Sequence, residues 1–227
     1  MTVVAITGLE AEARIVRGRG FAVRVTGARP ERAAALVAAL LAEGASALLS
    51  FGIAGALAPG LASGTILLPR RVLGEAGDAL AADTAWHARV QAALRARGIG
   101  AVEDDLLGAR VIVAASAAKA ALHRRTGAIA VDLESGIVAA AAARAGVPFL
   151  ALRAVVDPAG FTLPPAALIG IDETGRAAVL PVLRSVLRRP GQSAALLRLA
   201  LHTRRALAAL ARAAPALQDL SPPPSGR

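Results

Sequence analysis

Short apolar runs alternate with alanine-rich or amphipathic stretches along most of the chain. Runs rich in Val, Ile and Leu predict strands, whereas apolar positions three and four residues apart predict helices. Strands are predicted at residues 2–6, 21–26, 47–51, 64–69, 110–115, 129–131 and 149–156. Helices are predicted to begin near residue 10 and to span residues 29–41, 84–97, 117–125, 137–144, 176–188 and 192–212. This order predicts a three-layer α/β/α sandwich around a central mixed sheet.

Glycine, proline and charged residues mark the predicted connections. A glycine-rich turn is predicted at residues 52–57, loops at 74–83 and 161–175, and a further connection at 98–107. The predicted organisation is a single α/β domain over residues 1–190, a basic amphipathic helix over 191–214 and a disordered tail over 215–227.

Two carboxylates and a hydroxyl interrupt the apolar segment at residues 128–140. Asp132, Glu134 and Ser135 follow a predicted strand and precede a predicted helix, which is a position that presents side chains to a ligand. A carboxylate in an apolar run is paired, hydrogen-bonded or functional, because burying it alone costs several kcal/mol. Helix capping by Asp132 or Ser135 is the alternative interpretation.

Two further acids follow predicted strands. Glu10 and Glu12 lie in the first turn of a helix, where either complements the helix dipole. Positions two apart face different ways on a helix, so only one of them can point into a pocket, and we expect it to be Glu12. Asp157 ends a strand and precedes Pro158, where a simple turn is the alternative.

The glycine-rich segment that contains Gly52, Ile53, Ala54 and Gly55 follows a buried strand. Glycines there let backbone N–H groups approach a ligand, although a plain turn has the same pattern. The segment matches neither the dinucleotide-binding nor the P-loop fingerprint.

Composition narrows the choice of partners. The 227 residues suffice for one domain, and with 56% hydrophobic but only 2% aromatic residues the core must be aliphatic. The formal charge of +10 comes almost entirely from Arg, which is enriched together with Ala, Gly and Pro and has no interleaved aromatic residues. We therefore expect no nucleic-acid partner. The chain has no Cys and three scattered His, so no metal site is predicted.

The expected location is cytoplasmic, because the first residues enter a strand without a basic leader. Residues 44–69 carry no charge, but glycines and prolines divide them too often for a transmembrane helix. In the last predicted helix, Leu196, Leu199, Thr203, Leu207 and Leu210 share one side, and Arg198, His202, Arg205 and Arg212 share the opposite side. Such a helix packs on its own domain or contacts an anionic membrane surface.

Glu12, Glu134 and Asp157 are expected to meet at one edge of the sheet, around a glycine-lined pocket. Carboxylates in such an arrangement suit glycosidic cleavage, in which one acid protonates the leaving group and others orient the sugar and activate water.

The motifs at these junctions resemble those of the nucleoside phosphorylase and nucleosidase superfamily. They comprise residues 8–12, 52–57, 131–135 and 153–157, and the resemblance covers about the first 160 residues. Within the superfamily, residues 48–57, 117–127 and 188–192 resemble the hopanoid-associated phosphorylase family, which removes adenine from adenosylhopane. The resemblance implies the phosphorylase/hydrolase-like version of the sandwich, no cofactor, and paired subunits.

The resemblance also implies roles for individual residues. Glu134 would accept hydrogen bonds from the ribose hydroxyls, Asp157 would be the general acid at purine N7, and Glu12 would activate water. The predicted substrate-binding residues are Glu134, Leu133, Asp132, Gly52, Ile53, Ala54 and Gly55.

The sequence does not decide whether the nucleophile is water or phosphate. The phosphorylases hold phosphate with a Ser or Thr in this glycine-rich turn and with an Arg just before it. Here Ile53 occupies the first of these places and Ser50 the second. Inorganic phosphate as a co-substrate would be held by Gly8, Arg14 and the backbone N–H groups of the glycine-rich segment.

The substrate stays open too. The purine-covering aromatic segment of the nucleosidases is missing at residues 115–119, which fits a lipid attached at the ribose 5′ carbon. The alternatives are the same chemistry on a small nucleoside of the methylthioadenosine or S-adenosylhomocysteine type, and a non-catalytic nucleoside-binding or membrane-surface module.

Overall fold

A twelve-residue strand, β3 (Ala45–Ala56), runs through the middle of the sheet in the computed structural model. Its first part lies between β1 (Thr2–Thr7) and β10 (Phe149–Val155) and is parallel to both. Its last residues pair antiparallel with β9 (Ala130–Asp132). Both faces of β3 are covered, as its nearly continuous apolar sequence requires. The structure describes residues 2–74, 77–169, 175–176 and 190–218.

Short strands extend the sheet on both sides of this centre. They are β2 (Ala22–Val25), β4 (Ile66–Leu67), β5 (Arg71–Leu73), β6 (Ala79–Ala81), β7 (Ala101–Val102) and β8 (Leu106–Gly108). β2 pairs with β1, β4 and β7 follow β10, and β8, β5 and β6 follow β9. The parallel strands β1, β3 and β10 end at the same edge, which is where ligands bind in sheets of this type.

Helices cover both faces of the sheet. They are α1 (Glu10–Val16), α2 (Pro30–Ala42), α3 (Thr84–Ala96), α4 (Ser116–Thr126), α5 (Ser135–Ala145) and α6 (Ser193–Ala213), with 3₁₀ turns at Pro165–Ile169, Pro190–Gln192 and Ala214–Leu217. One apolar core joins α1, α3 and α6 to the sheet, and a second joins α2 and α5 to its other face. Successive residues of β3 face opposite sides of the sheet, so that Leu48 enters the second core and Leu49 the first. The predicted α/β/α sandwich with a mixed sheet is confirmed.

The predicted turn at residues 52–57 is wrong, because β3 continues through it to Ala56. Gly52 and Gly55 serve a different purpose, since charged side chains lie directly over both. Glycine here makes room for side chains above a strand instead of bending the chain.

Three other predictions need correction. Residues 110–115 form no strand but an irregular segment, in which Val111 is 71% and Ile112 45% exposed. The predicted loop at 74–83 contains β6, which pairs antiparallel with β5, and the predicted connection at 98–107 contains β7 and the start of β8. Strands of two or three residues are too short to produce a recognisable alternation.

The C-terminal helix α6 packs on its own domain. Ala206, Ala209 and Leu210 are buried in the first core, whereas His202, expected on the exposed side, is half-buried and contacts the ring of Phe161 edge-on. Membrane contact through α6 and the pairing of subunits stay predictions. Among the described residues, no helix is long and apolar enough to cross a bilayer.

The predicted tail begins too early, because Ala214–Leu217 form a 3₁₀ turn in which Ala216 and Leu217 are buried. The tail from residue 219 onward and the helix predicted at 176–188, from residue 177 onward, lie outside the described residues.

A contact between two glycines fixes helix α5 on strand β8. A Cβ added at Gly108 would lie 2.5 Å from the Cα and 2.6 Å from the backbone N of Gly136, so no side chain fits between them. The position of α5 matters for the site because residues of its first turn form part of it.

Gly108→Ala is therefore expected to destabilise the protein by about 1–3 kcal/mol through overpacking. Gly100 is exposed, and a Cβ there meets nothing within 4 Å, so Gly100→Ala is the matched control. Urea unfolding followed by circular dichroism measures both, and an unchanged midpoint for Gly108→Ala would contradict the close contact.

Candidate active site

A cavity of about 700 Å³, counted out to its open mouth, lies at the carboxyl ends of the central strands. Four carboxylates line it, those of Glu12, Asp132, Glu134 and Asp157. The remaining lining residues are mostly apolar or glycine, and they are Gly8, Leu9, Ala28, Ile53, Ala54, Gly55, Val111, Ile112, Val113, Val131, Leu133, Val156 and Leu163. The acids predicted from distant parts of the sequence therefore share one cavity.

Glu12 is held by two backbone N–H groups. Leu9 N donates to its Oε2 at 2.8 Å, and Ile53 N donates to its Oε1 at 2.9 Å. The first bond caps helix α1, and the second ties that helix to strand β3. Glu12 is 1% exposed, whereas Glu10 lies outside the cavity and pairs with Arg17. Of the two acids, the structure brings Glu12 to the cavity.

Arg153 is a buried cation of this site that the sequence analysis did not predict. It lies on β10, is fully buried, and its Nη2 is 2.5 Å from Asp132 Oδ2 and 3.6 Å from Glu134 Oε2. It also donates to the hydroxyls of Ser50 and Ser135. A charged residue inside an otherwise apolar strand was the available signal, because a buried guanidinium requires buried acids.

Asp132 combines both roles considered for it. Its Oδ1 accepts a hydrogen bond from Ser135 N at 3.1 Å and so caps the start of α5, while its Oδ2 binds Arg153 and the Ser135 hydroxyl. Ser135 is therefore held by the cap instead of forming it. Burial raises the pKa of Asp132 despite the nearby guanidinium.

Glu134 faces the cavity and caps nothing. Burial raises its pKa to about 8, with Arg153 opposing the shift and the Asp132 and Glu12 carboxylates adding to it. Burial raises the pKa of Glu12 as well. The native state keeps the Glu134 proton after an unfolded chain has released it, so the free energy of unfolding falls as pH rises from 4.5 towards 8.

Glycines make room for this polar cluster. A Cβ at Gly52 would lie 2.5 Å from Arg153 Nη1 and 2.6 Å from Glu12 Oε1, and a Cβ at Gly8 would lie 2.8 Å from Glu134 Oε1. Gly55 lies beneath Asp157, where a Cβ would be 3.2 Å from Oδ1. Gly52 thus supports the site from below, while Gly8, Ile53, Ala54 and Gly55 line it.

Asp157 is paired with a cation outside the Arg153 cluster. Lys119 of α4 contacts its Oδ2, and both side chains are almost completely buried. Sequence reasoning missed Lys119, because a lone Lys in a helix resembles a surface residue. Strand β10 carries Arg153 and leads directly to Asp157. The pair of Lys119 with Asp157 therefore lies in the same site as the Arg153 cluster.

The predicted phosphate ligand Arg14 does not reach the cavity. Its side chain is 71% exposed and pairs with Glu10 on the outer side of α1. Among the described residues that line the cavity, none is Lys or Arg. Within the described ranges, no group of three or more His, Cys, Asp or Glu side chains is arranged to hold a metal ion.

The mouth of the cavity is apolar. Val111, Ile112, Val113 and Leu163 form one wall, and Leu163 N is bonded to Ala114 O, which holds the two segments together. Val111 and Ile112 are among the large apolar side chains most exposed in the described structure. The polar floor and the apolar mouth suit a ligand with a polar end and an apolar end.

Comparisons with solved structures support the fold. The 5′-methylthioadenosine/S-adenosylhomocysteine nucleosidase of Neisseria meningitidis, in complex with methylthio-immucillin-A, has a TM-score of 0.73 and 18% identity, with 95% of this chain and 97% of that chain covered. Futalosine hydrolase of Helicobacter pylori has a TM-score of 0.72 and 14% identity over 96% and 97% of the two chains. A methylthioadenosine/S-adenosyl homocysteine nucleosidase of Helicobacter pylori has a TM-score of 0.72, 15% identity and the same coverage.

A comparison with curated proteins gives no match. A family model does match, over residues 13–188, and it is that of the phosphorylase superfamily. This range contains β3, β9 and β10 together with most of α1, whereas Gly8, Leu9 and Glu12 of the cavity lie just before it. The superfamily resemblance inferred from the motifs is confirmed: this chain belongs to the phosphorylase superfamily.

Proposed function

We propose that the protein cleaves the N-glycosidic bond of a purine nucleoside with water as the nucleophile, and that adenosylhopane is the substrate. One observation carries the proposal: Glu12, Glu134 and Asp157 line a single cavity although 145 positions separate the first from the last. Adenine as the base follows from the family resemblance, and the apolar 5′ substituent follows from the mouth of the cavity.

The three acids divide the reaction among them. Asp157 protonates N7 of the base, so that adenine leaves as a neutral molecule while the sugar gains oxocarbenium character. Glu134 binds the ribose hydroxyls and holds the sugar in place. Glu12 accepts a proton from the attacking water, and its two backbone hydrogen bonds fix its orientation. A positioned acid of this kind contributes roughly 10²- to 10⁴-fold in rate, or about 3–5 kcal/mol.

Water is favoured over phosphate by the charges of the site. The guanidinium of Arg153 contacts Asp132 and Glu134, favours the charged form of Glu12, and is already bonded to Ser50 and Ser135. Burial raises the pKa values of all three carboxyls, and the carboxylates of Asp132 and Glu12 raise that of Glu134 further. A phosphate dianion would add negative charge beside these buried acids, whereas a neutral water molecule adds none.

The apolar wall at the mouth supports a lipid-linked substrate. Val111 at 71% and Ile112 at 45% exposure leave apolar surface uncovered beside a polar site. An apolar chain on the 5′ carbon of a ribose would cover that surface, and each buried methylene contributes about 0.8 kcal/mol to binding.

The second candidate is hydrolysis of a small nucleoside of the methylthioadenosine or S-adenosylhomocysteine type. It is favoured by the fold, since structural neighbours carry that activity in their names and one was solved with a methylthio ligand. The two candidates share the chemistry and differ in the group on the 5′ carbon. A comparison of their substrates therefore decides between them.

Asp157→Asn should abolish release of adenine from adenosylhopane, with a loss of roughly 10²- to 10⁴-fold in kcat. Asp104→Asn, at an exposed acid remote from the cavity, is the control and should retain wild-type activity. Adenine is measured by chromatography, with methylthioadenosine assayed in parallel. Full activity of Asp157→Asn would remove the proposed acid, and faster turnover of methylthioadenosine would favour the second candidate.

Adenine release should not require phosphate. The rate should be equal in phosphate-free buffer and in buffer with several millimolar phosphate, and the product should be a free ribosyl lipid. Mass spectrometry separates this product from its 1-phosphate. A rate that rises with phosphate concentration and yields the 1-phosphate would show phosphorolysis.

A further inference from the structure

Lys119 is the only Lys of the chain, and it is completely buried. Its ammonium group contacts Asp157 Oδ2 and donates to Phe161 O at 2.7 Å and to Pro158 O at 3.3 Å. An ammonium group has three protons, and these acceptors match them in number. Each acceptor belongs to the segment at residues 157–161, which leads away from strand β10.

This arrangement suits Lys and excludes Arg. A compact ammonium group can direct its donors to three acceptors around one point, whereas the guanidinium group presents them in a planar fork. Of the 26 Lys and Arg residues of the chain, the other 25 are Arg. The single Lys thus lies where an ammonium group fits the acceptors better than a guanidinium group does. The general enrichment of Arg in this chain does not account for it.

Burying the charged side chain of Lys119 costs free energy. An ammonium group removed from water loses several kcal/mol of solvation, and a cation in the first turn of α4 also opposes the helix dipole. The pairing with Asp157 offsets these costs. A structural role alone would need only a hydrogen-bond donor for the two carbonyls, not a charge beside the acid of the reaction.

We infer that Lys119 is the positioning residue of the general acid and the source of the proton that Asp157 delivers. This inference rests on the proposed function. An N–H bond of Lys119 breaks as an O–H bond forms on Asp157. That O–H bond then breaks as an N–H bond forms at N7 of the base, and the electron pair of the C1′–N9 bond goes to the base. Lys119 is left as a neutral amine and regains a proton from solvent through Asp157 once the base has left.

Within the described part of the chain, the other charged groups around Asp157 leave this role to Lys119. On α6, His202 feels the Asp157 charge, but burial and Arg205 lower its pKa, so it is a poor cation at neutral pH. Glu12, Asp132 and Glu134 line the same cavity, and Arg153 is bonded within their cluster.

The test is the pH dependence of Lys119→Met, which keeps the length of the side chain without its charge. Without the cation, the proton that Asp157 delivers has to come from solvent, which supplies it more readily as the pH falls. We expect kcat of the variant, divided by wild-type kcat at the same pH, to be reduced about 10²-fold at pH 8. The ratio should rise towards 1 on acidification, because solvent then replaces Lys119 as the source of the proton. Taking the ratio cancels the titrations of Glu12, Asp132 and Glu134.

A second variant restores the charge. In Lys119→Cys, alkylation of the unfolded chain with bromoethylamine creates an aminoethyl cysteine, and the absence of any other Cys confines the reaction to this site. After refolding, activity at pH 8 should return to within about tenfold of wild type. Wild-type protein taken through the same treatment is the control, and circular dichroism checks folding.

A loss of activity that is equal at every pH would reduce Lys119 to a structural residue, and wild-type activity of Lys119→Met would overturn the inference outright. Failure of the amine to restore activity in a folded protein would also contradict it. In each of these cases an inactive Asp157→Asn leaves the proposed function standing. Wild-type protein that releases no adenine would remove the proposed function itself, whereas full activity of Asp157→Asn would remove only Asp157 as the acid.

Discussion

The ion pair between Arg153 and the buried carboxylates is the interaction on which the rest of the site depends. A single guanidinium group joins strand β10 to Asp132 at the end of β9 and to Glu134 beside it, and bonds to Ser50 of β3. Without this cation, the buried acids would repel one another in a medium of low dielectric constant. The same contacts place the capping Asp132 and therefore the first turn of α5. The arrangement of the cavity acids and the packing of helix α5 thus depend on the same contacts.

The small side chains of the sheet make this arrangement possible. Gly52 leaves space for Arg153 and Glu12, Gly8 leaves space for Glu134, and Gly55 lies beneath Asp157. The two cations, Arg153 and Lys119, pair with different acids. Arg153 contacts Asp132 and Glu134 with a planar fork, and Lys119 contacts Asp157 with a compact ammonium group. The acids that line one cavity therefore lie in two separate electrostatic environments, as the proposed division between a proton donor and groups that bind the sugar and activate water requires.

Local patterns were sufficient to predict the acids but not their partners. The spacing of Glu10 and Glu12 predicted that only one would face the cavity, and the position of Asp157 after a buried strand predicted its place at the sheet edge. Arg153 and Lys119 escaped prediction because their partners come from other elements, such as Ser50 and Asp157, which no local pattern connects to them. The glycines of β3 have the pattern of a turn, and composition does not reveal that side chains from elsewhere lie over them. Residues 110–115 have the composition of a strand, yet they form the apolar wall of the cavity instead of pairing in the sheet.

The most direct test of this account is a carbon-13 NMR titration of the Glu side-chain carboxyls, with the Glu134 signal assigned by Glu134→Gln. If Glu134 is buried beside Asp132 and Glu12 and shares their single cation, its carboxyl should titrate at a pKa of about 8. A Glu134 carboxyl that titrates near the ordinary value of 4.5 would contradict the account, because it would place that side chain in water and apart from the other acids.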